Sequence, residues 1–468
     1  MLSVFKINDP YRLVIVLLFL IVVQLPFYFS DLFITIPEIE WQVLGDKLTQ
    51  GEILYVDVYH TTGLFSSIVY WILAEFFPDN YLVYRLLALA LIFFQALLFN
   101  IILLQHKAYN QNTYVPAAIY ALLMVGIPDM AVLTPHLMSL TFILLAFDLI
   151  FRHLEGRRKQ DWIVLQIGIY LAVASLFYPL NYLMLLSTVL AFIFYTNTLL
   201  RRYLLLFIGF LLPYLLIWLK YFWFNQESDF YFILKHLFFP STHLAMINWK
   251  TFITLITLPI IYLFLSFIKV INARAFINYQ TRLQNYMLIM ILVGVVMLVF
   301  DNYQATHVLV MLIPAFSFFI THYFLLIRKV WLAELMFLIF TVFLLMQNFI
   351  ISFKTINSFN WLSLEGQRYN SIELPINLVN KKVLVLGKHS GEYYNNKLAT
   401  PYLSWEIAQR HINEIDKYNH VIKFYHNFSN DPPEVLIDKE AWAEQIFNKI
   451  PQLSMRYKKI NDHIYLLM

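Results

Sequence analysis

Long apolar stretches recur through the first three quarters of this chain, and they constrain its fold more than any other feature. A helix needs about 20 residues to cross the ~30 Å hydrocarbon core of a bilayer. About eleven such stretches can be assigned, at residues 11–29, 81–104, 113–127, 135–151, 162–178, 180–197, 203–224, 249–268, 284–300, 308–327 and 331–353. Hydrophobic residues make up 60% of the chain and charged residues 13%, which is outside the usual range of soluble globular domains. The sequence therefore predicts an α-helical polytopic membrane protein with about 11 transmembrane helices.

The positions of the basic residues indicate how these helices are oriented. Cytoplasmic loops are enriched in Lys and Arg. With the N-terminus in the cytoplasm, the inner loops hold Lys6, Arg12, Lys107, Arg152, Arg157, Arg158, Lys159, Arg201, Arg202, Lys269, Arg274, Arg282, Arg328 and Lys329, and the outer loops hold only Lys47, Lys235 and Lys250. Residues 64–77 are also apolar, but counting them as a span would move the cluster 152–159 outside. We therefore predict that 64–77 lies along the outer membrane surface.

The end of the chain, residues 354–468, has no long apolar stretches. Residues 354–468 read as ordinary mixed sequence, with strand-like segments at 382–387, 433–438 and 464–467 and helical segments at 403–417 and 439–450. Eleven crossings from a cytoplasmic N-terminus put this part outside. The sequence predicts a transmembrane domain at 1–353, which includes an outer loop at 30–80, and a small extracytoplasmic α/β domain at 354–468. The predicted location is the inner (cytoplasmic) membrane.

Ionisable residues cluster at the predicted outer face. They are Glu38, Glu40 and Asp57 in the first outer loop, Asp129 after Pro128, Arg85 and Lys220 at span ends, and His307 at the start of a late span. A charged side chain at the bilayer centre costs at least ~2.5 to 3.5 kcal/mol, so such residues belong at the surface or in a wet cavity. These positions are therefore candidates for a functional site.

The order of parts resembles the GT-C superfamily of membrane glycosyltransferases, which use polyprenyl-phosphate-linked sugars as donors. The matching residues are Glu38, Trp41, Leu48, Gly51, Tyr55 and Asp57 in the first outer loop, Arg85 at the outer end of the second span, Asp129 at the second acid, and His307 with Pro314 at the start of a late span. Three features depart from the family pattern. Pro37 stands in place of the first acid, Glu40 is offset by one residue, and His60-Thr-Thr-Gly63 replaces the common glycine-proline.

The resemblance implies transfer of a sugar from a polyprenyl-phosphate carrier to an acceptor that the sequence does not identify. Such chemistry needs a base for the acceptor hydroxyl and cations for the departing phosphate. Glu38, with Glu40 as the alternate, and Asp129 are the candidate catalytic residues. Arg85 and Lys220 are candidates for holding the phosphate, and Asp57 and His307 complete the predicted substrate-binding set.

Each assignment has a structural alternative. The glutamates are also typical of a helix N-terminus, Asp57 and Asp129 of turns, Arg85 and Lys220 of snorkelling side chains, and His307 of a hydrogen-bonded helix end. At the level of function, the alternatives are a non-catalytic partner or assembly subunit with the same fold, or a lipid-carrier transporter. Transport favours ionisable residues near the bilayer midplane, whereas here the acids gather at one face.

The amino-acid composition and spacing also limit which ligands and partners are expected. The chain has no cysteine, which excludes disulfides, thiolate nucleophiles and sulfur-ligated metals. His236 and His243 do not have metal-ligand spacing, so no metal site and no cofactor are predicted, although a divalent cation is left open. The basic residues form no stripe with exposed aromatics, so nucleic acid is not an expected partner. Membrane lipid and further membrane proteins remain possible partners.

Overall fold

The computed structural model describes most of the chain. The described residues are those other than 30–33, 157–160, 197, 227–233, 235–237, 239–243, 246, 274–275, 302, 354–363, 365–379, 388–390, 395 and 414–417. His236, His243 and the basic cluster at 157–159 therefore lie outside the described residues.

Helices occupy the position of every predicted span. Their bounds are Arg12–Phe29, Tyr81–Gln105, Val115–Met124, Pro135–Glu155, Asp161–Phe177, Leu183–Tyr195, Leu200–Trp223, Trp249–Asn272, Asn278–Phe300, Ile313–Leu326 and Val330–Phe353, and a shorter helix, Leu2–Lys6, precedes them. Among the described residues, seven helical segments are long and apolar enough to cross a bilayer. The multi-pass helical class is thus confirmed, while the count of eleven crossings stays a prediction.

The described chain packs as two compact units. The first, here called the membrane unit, comprises Met1–Phe33, Tyr81–Lys220 and Ala245–Gly366. The second, here called the loop–tail unit, comprises Ile34–Asn80, Tyr221–Leu244 and Gln367–Met468. The boundary predicted between residues 353 and 354 follows chain order and stays a prediction.

Two glycines allow a close contact between two helices of the membrane unit. A Cβ added at Gly168, on the helix Asp161–Phe177, would overlap the carbonyl oxygen of Leu206. A Cβ added at Gly209 would in the same way overlap the carbonyl oxygen of Leu165. Small residues let the backbones of membrane helices approach closely, which increases van der Waals contact where no hydrophobic driving force acts between helices.

The tail of the loop–tail unit contains a mixed sheet. Two-residue strands β1 (Leu244–Ala245) and β2 (Tyr303–Gln304) come earlier in the chain, and the tail strands are β3 (Lys382–Leu386), β4 (Lys397–Leu398), β5 (Val435–Asp438), β6 (Tyr457–Asn461) and β7 (Ile464–Leu467). Within the described tail the strand order is β4-β3-β5-β7-β6, parallel from β4 to β5 and antiparallel from β5 to β6. The central strands β3 and β5 are almost entirely buried, as expected for strands covered on both faces.

Helices Trp405–Asn413, Tyr418–Asn430, Trp442–Lys449 and Pro451–Ser454 accompany this sheet. The three predicted strands and both predicted helices are present. The strands β4 and β6 and the helix Tyr418–Asn430 were not predicted.

The loop part of the same unit is built on two helices, Ile36–Thr49 and Leu64–Phe76. They approach closely at Gly45, where an added Cβ would lie 2.7 Å from the carbonyl oxygen of Tyr70. The rings of Trp41 and Tyr70 stack beside this contact, with centroids 5.8 Å apart. Leu64–Phe76 matches the apolar segment predicted to lie on the membrane surface, and that location stays a prediction.

Ion pairs and an aromatic contact are among the interactions that join the loop to the tail inside the loop–tail unit. The Lys47 ammonium lies 2.9 Å from Glu52 and 3.1 Å from Asp431, which also pairs with Lys382. Tyr59 pairs with Tyr402 both through the backbone and through an edge-on ring contact at 5.6 Å. The first outer loop is therefore part of the folded core of this unit.

Candidate functional site

Glu38 has a structural role at the start of the helix Ile36–Thr49. Its carboxylate accepts hydrogen bonds from the backbone N–H of Thr35 at 2.9 Å and from the Thr35 hydroxyl at 3.1 Å. These contacts form a capping box, with Pro37 in the first turn where a missing N–H costs nothing. The helix-end alternative for this glutamate therefore has direct geometric support.

Glu40 has a different environment. Its side chain is buried, and its Oε2 lies 3.5 Å from Nε2 of His60, which is fully buried. The Thr62 backbone N–H donates to His60 Nδ1 at 3.1 Å, so that nitrogen is an acceptor and carries no proton. The proton of neutral His60 must then be on Nε2, which directs it toward the Glu40 carboxylate.

Tyr55 and Thr62 support the position of the His60 ring next to Glu40. The Tyr55 hydroxyl donates to the Thr62 carbonyl oxygen at 2.7 Å, and the Thr62 hydroxyl lies 2.6 Å from His60 Nδ1. Tyr55 has a positive backbone φ of 72°, a conformation that residues other than glycine rarely adopt. A chain of contacts thus runs from Tyr55 through Thr62 and His60 to Glu40.

Other residues of the predicted motif shape the turn of the outer loop. Gly51 has a φ of 87°, which favours glycine. The exposed Asp57 accepts a hydrogen bond from the backbone N–H of Ile53 at 2.9 Å. For Asp57 the turn alternative is therefore supported.

Asp46 lies on the same helix and near a second carboxylate. Burial, together with repulsion from Asp79, raises the pKa of Asp46 to about 7. Asp79 itself accepts a hydrogen bond from the Gln42 side chain at 2.9 Å. This part of the loop–tail unit therefore changes its charge near neutral pH.

The membrane unit contains a separate cluster around Asp129, in a short 3-10 turn, Pro128–Ala131. Three donors converge on its Oδ2: the Thr306 hydroxyl at 2.7 Å, the His307 backbone N–H at 2.9 Å and His307 Nδ1 at 3.1 Å. Burial would raise the pKa of Asp129, but attraction to His307 and these hydrogen bonds outweigh it, so the pKa lies below its ordinary value. Asp129 is therefore an ionised and fixed carboxylate.

Two aromatic side chains extend this cluster. The His136 ring lies 4.9 Å from the His307 ring and 3.8 Å from the Tyr178 ring. The Tyr178 hydroxyl donates to Asp301 at 2.6 Å. The cluster, here called the Asp129 cluster, thus has two carboxylates at its ends with two imidazoles and a phenol between them.

The remaining predicted residues lie in the membrane unit. Arg85 is 8% exposed in the first turns of the helix Tyr81–Gln105, so it is not a snorkelling surface residue. Lys220 is exposed near the end of the helix Leu200–Trp223, as the snorkelling alternative requires. Within the described ranges, no three His, Asp or Glu side chains form a group suited to a metal ion.

Among the predicted residues, the structure brings Asp129 and His307 into contact. The sequence patterns gave no functional role to His60, Thr62, His136 or Tyr178. His60 stood where the family pattern has glycine-proline, which marked the position without giving it a role. His136 lies seven residues after Asp129, at the N-terminus of the helix Pro135–Glu155. Its functional interest comes only from the side chains that surround it in the structure.

The chain matches no protein-family profile and no curated protein sequence. Similar solved structures include the crystal structure of ArnT from Cupriavidus metallidurans bound to undecaprenyl phosphate, with a TM-score of 0.52 and 11% identity over 98% of both chains. Two crystal structures of the Archaeoglobus fulgidus oligosaccharyltransferase are also similar. The one tethered with an acceptor peptide has a TM-score of 0.47 and 9% identity, and covers 85% of this chain and 65% of that one.

The oligosaccharyltransferase structure in complex with zinc and sulfate has a TM-score of 0.49 and 11% identity, and the match covers 95% of this chain and 71% of that one. The chain thus spans about two thirds of the length of the oligosaccharyltransferase. The likeness to ArnT confirms the predicted GT-C fold, and at this identity it shows the fold alone.

Proposed function

We propose that this chain is an integral-membrane glycosyltransferase that moves a sugar from a polyprenyl-phosphate carrier to an acceptor hydroxyl at the outer face of the membrane. The observation that carries the proposal is the likeness to ArnT over 98% of both chains, since that neighbour is bound to undecaprenyl phosphate. Buried carboxylates of the kind that this reaction needs support the proposal.

The reaction defines what the protein must supply. The acceptor oxygen forms a bond to the anomeric carbon of the sugar, and the bond from that carbon to the phosphate oxygen breaks. The acceptor proton passes to a base, and the carrier leaves as a lipid phosphate. Because the phosphate is already a good leaving group, catalysis needs a base, a cation near the phosphate and accurate positioning.

We assign the role of base to Glu40 rather than to Glu38. The Glu38 carboxylate accepts both capping hydrogen bonds from Thr35, so it already has a structural role. Glu40 makes no contribution to the cap, and His60 can hold its carboxylate in one orientation through a weak hydrogen bond at 3.5 Å. The proton of the acceptor would then move to Glu40.

Asp129 suits positioning better than proton transfer. Its pKa is lowered, and three donors already occupy Oδ2. A carboxylate with a low pKa is a weak base at neutral pH. We therefore assign Asp129 the role of holding His307 in place within the membrane unit, and Arg85 and Lys220 stay candidates for binding a phosphate.

The test compares conservative changes at the two glutamates. Glu40→Gln should lower the transfer rate about 10²- to 10⁴-fold, because the amide keeps the shape but accepts no proton. Glu38→Gln should keep most of the activity, since Gln also closes a capping box. Glu38→Ala should lower the stability by ~1 to 3 kcal/mol, because the buried donors of Thr35 lose their acceptor. Transfer is measured with a radiolabelled lipid-linked sugar, and stability by thermal unfolding in detergent.

Two results would change the proposal. Loss of transfer in Glu38→Gln with full transfer in Glu40→Gln would move the base to Glu38. Full transfer in Glu40→Gln, Glu38→Gln and Asp129→Asn, alone and combined, would show that none of these carboxylates is the base. No transfer by the purified wild type would favour the alternative of a non-catalytic subunit with the same fold.

A further inference from the structure

His136 is a buried polar side chain whose presence the roles assigned above do not explain. It is 4% exposed, and neither of its ring nitrogens has a hydrogen-bond partner among the described residues. Burying a polar group without a partner costs ~1 to 3 kcal/mol, and most buried polar atoms in proteins are satisfied. An apolar ring of the same size would avoid that cost.

The surroundings of His136 restrict where a partner can come from. The Tyr178 ring lies 3.8 Å away and the His307 ring 4.9 Å away, so neighbouring rings cover much of the imidazole surface. Asp129 holds His307, and Asp301 holds Tyr178. These neighbours are themselves fixed by hydrogen bonds, so a partner must approach the ring edge that carries the nitrogens.

The chemistry of the Asp129 cluster indicates the kind of partner. A neutral imidazole has one N–H donor and one nitrogen acceptor, and a hydroxyl group can match either. A phosphate would approach two carboxylates, Asp129 and Asp301, and would be repelled by them. A sugar carries several hydroxyls, as does a carbohydrate acceptor.

We propose that His136 binds a hydroxyl group of the substrate, either on the transferred sugar or on the acceptor. This inference rests on the proposed glycosyltransferase function and adds a substrate-binding residue to it. The Asp129 cluster would then recognise the hydroxylated part of the substrate, and the lipid phosphate would bind elsewhere.

The test uses the full-length protein in nanodiscs with His136→Phe, which keeps the aromatic contacts and removes both nitrogens. His136→Gln keeps a donor and an acceptor. His322→Phe is the matched control, because His322 is an equally buried histidine of the membrane unit in a different aromatic group, with Tyr109 and Phe318. The probes are a decaprenyl-phosphate-linked pentose and decaprenyl phosphate without sugar, and transfer is followed with native membranes as the source of acceptor.

If His136 contacts the sugar, His136→Phe should weaken binding of the sugar-carrying lipid about 5- to 100-fold and leave the bare lipid phosphate unaffected. If it contacts the acceptor, both lipids should bind normally and transfer should fall by a similar factor. His136→Gln should recover part of either loss. The thermal midpoint of His136→Phe without ligand should equal or exceed that of the wild type, since an unsatisfied polar group is removed.

Unchanged binding and transfer in His136→Phe would overturn the inference and indicate that the ring only fills space or contacts an ordered water. A lowered midpoint together with equal losses for both lipids would also overturn it, since a structural role predicts that result. If the wild type binds neither lipid, the proposed function itself fails, and that outcome is distinct from a failure of the role of His136.

Discussion

Glu38, Glu40 and Asp46 lie on one helix, yet each carboxylate has a different environment. Glu38 accepts capping hydrogen bonds, Glu40 faces a histidine with a defined tautomer, and Asp46 is close to the carboxylate of Asp79. The sequence shows three acids within nine positions but not these differences, because they depend on residues 60, 62 and 79, which only the fold brings near. The chemical role of an acid is set by those neighbours.

Asp46 allows a prediction about pH. Its pKa of about 7 in the folded protein is above the ordinary value of 3.8. The protonated form therefore favours folding, fully below the ordinary pKa, and this contribution is lost as the pH rises toward 7. We expect the wild type to gain on the order of 1 kcal/mol of stability, relative to Asp46→Asn, between pH 7 and pH 5.

Thermal unfolding in detergent across this pH range is the measurement. Asp57→Asn is the control, because Asp57 is exposed in the same loop and should leave the pH dependence unchanged. Equal pH dependence in the wild type and in Asp46→Asn would show that Asp46 does not titrate in this range.

Among the helices and strands, the sequence best predicted those whose formation depends on a single physical requirement. Apolar runs that are about long enough to cross a bilayer form helices, because a bilayer leaves the backbone few other ways to satisfy its hydrogen bonds. The buried strand Lys382–Leu386 was also predictable from its apolar run. The strands Lys397–Leu398 and Tyr457–Asn461 were not, because the first has two residues and four of the five residues in the second are exposed.

The candidate site was predictable only in part, for a related reason. Asp129 and His307 were selected from the sequence, and they lie in contact. His136 and Tyr178 were not selected, because a lone histidine or tyrosine in an apolar stretch is usually part of the core. Their significance comes from ring contacts among His136, Tyr178 and His307, which lie far apart in sequence.

The helix contact at Gly168 and Gly209 gives a prediction at this scale. In an open helix, Ala is favoured over Gly by ~1 kcal/mol. At position 209 an added methyl would overlap the Leu165 carbonyl oxygen, so the helices must separate. We expect Gly209→Ala to lower stability by ~1 to 3 kcal/mol, as overpacked contacts do.

The measurement is the thermal midpoint in detergent, with Ile208→Ala as the control. Ile208 is the preceding residue and is 53% exposed, so its change should stay within ~0.5 kcal/mol of the wild type. A Gly209→Ala protein at least as stable as this control would show that the helix pair can separate freely.

At the scale of the whole molecule, the chain combines an apolar helical unit with a mixed α/β unit assembled from three separate segments. The chain is similar to ArnT over 98% of both chains. The GT-C fold was predicted from the order of parts, from a short motif in the loop 34–80, and from Arg85, Asp129 and His307 with Pro314. Most of the residues of that motif turn out to support the loop structure, and this explains how a degenerate motif can still mark the fold.

The orientation of the chain is a prediction at this scale. The distribution of Lys and Arg places residues 354–468 outside and the loop after Glu155 inside. A reporter fused after Met468 should be active only if it functions outside the cytoplasm. Single cysteines at the exposed positions Asp57 and Asn80, on either side of the helix Leu64–Phe76, should both react with an impermeant reagent from the outside, because the chain has no other thiol.

A cytoplasmic signal from the reporter would reverse the assigned orientation. Labelling of the two cysteines from opposite sides would show that the helix Leu64–Phe76 crosses the membrane.

The composition of the loop–tail unit has a consequence for the biogenesis of the protein. Residues 34–80 are synthesised before their packing partners in the tail, and Lys47 precedes Asp431 by 384 residues. At ~5 to 20 residues per second, the loop waits roughly 20 to 80 s for Tyr402 and Asp431. During that time Lys47 and Tyr59 lack the tail contacts that they make in the finished protein. Ribosomes stalled before the tail should therefore carry a loop that is open to proteases and chaperones.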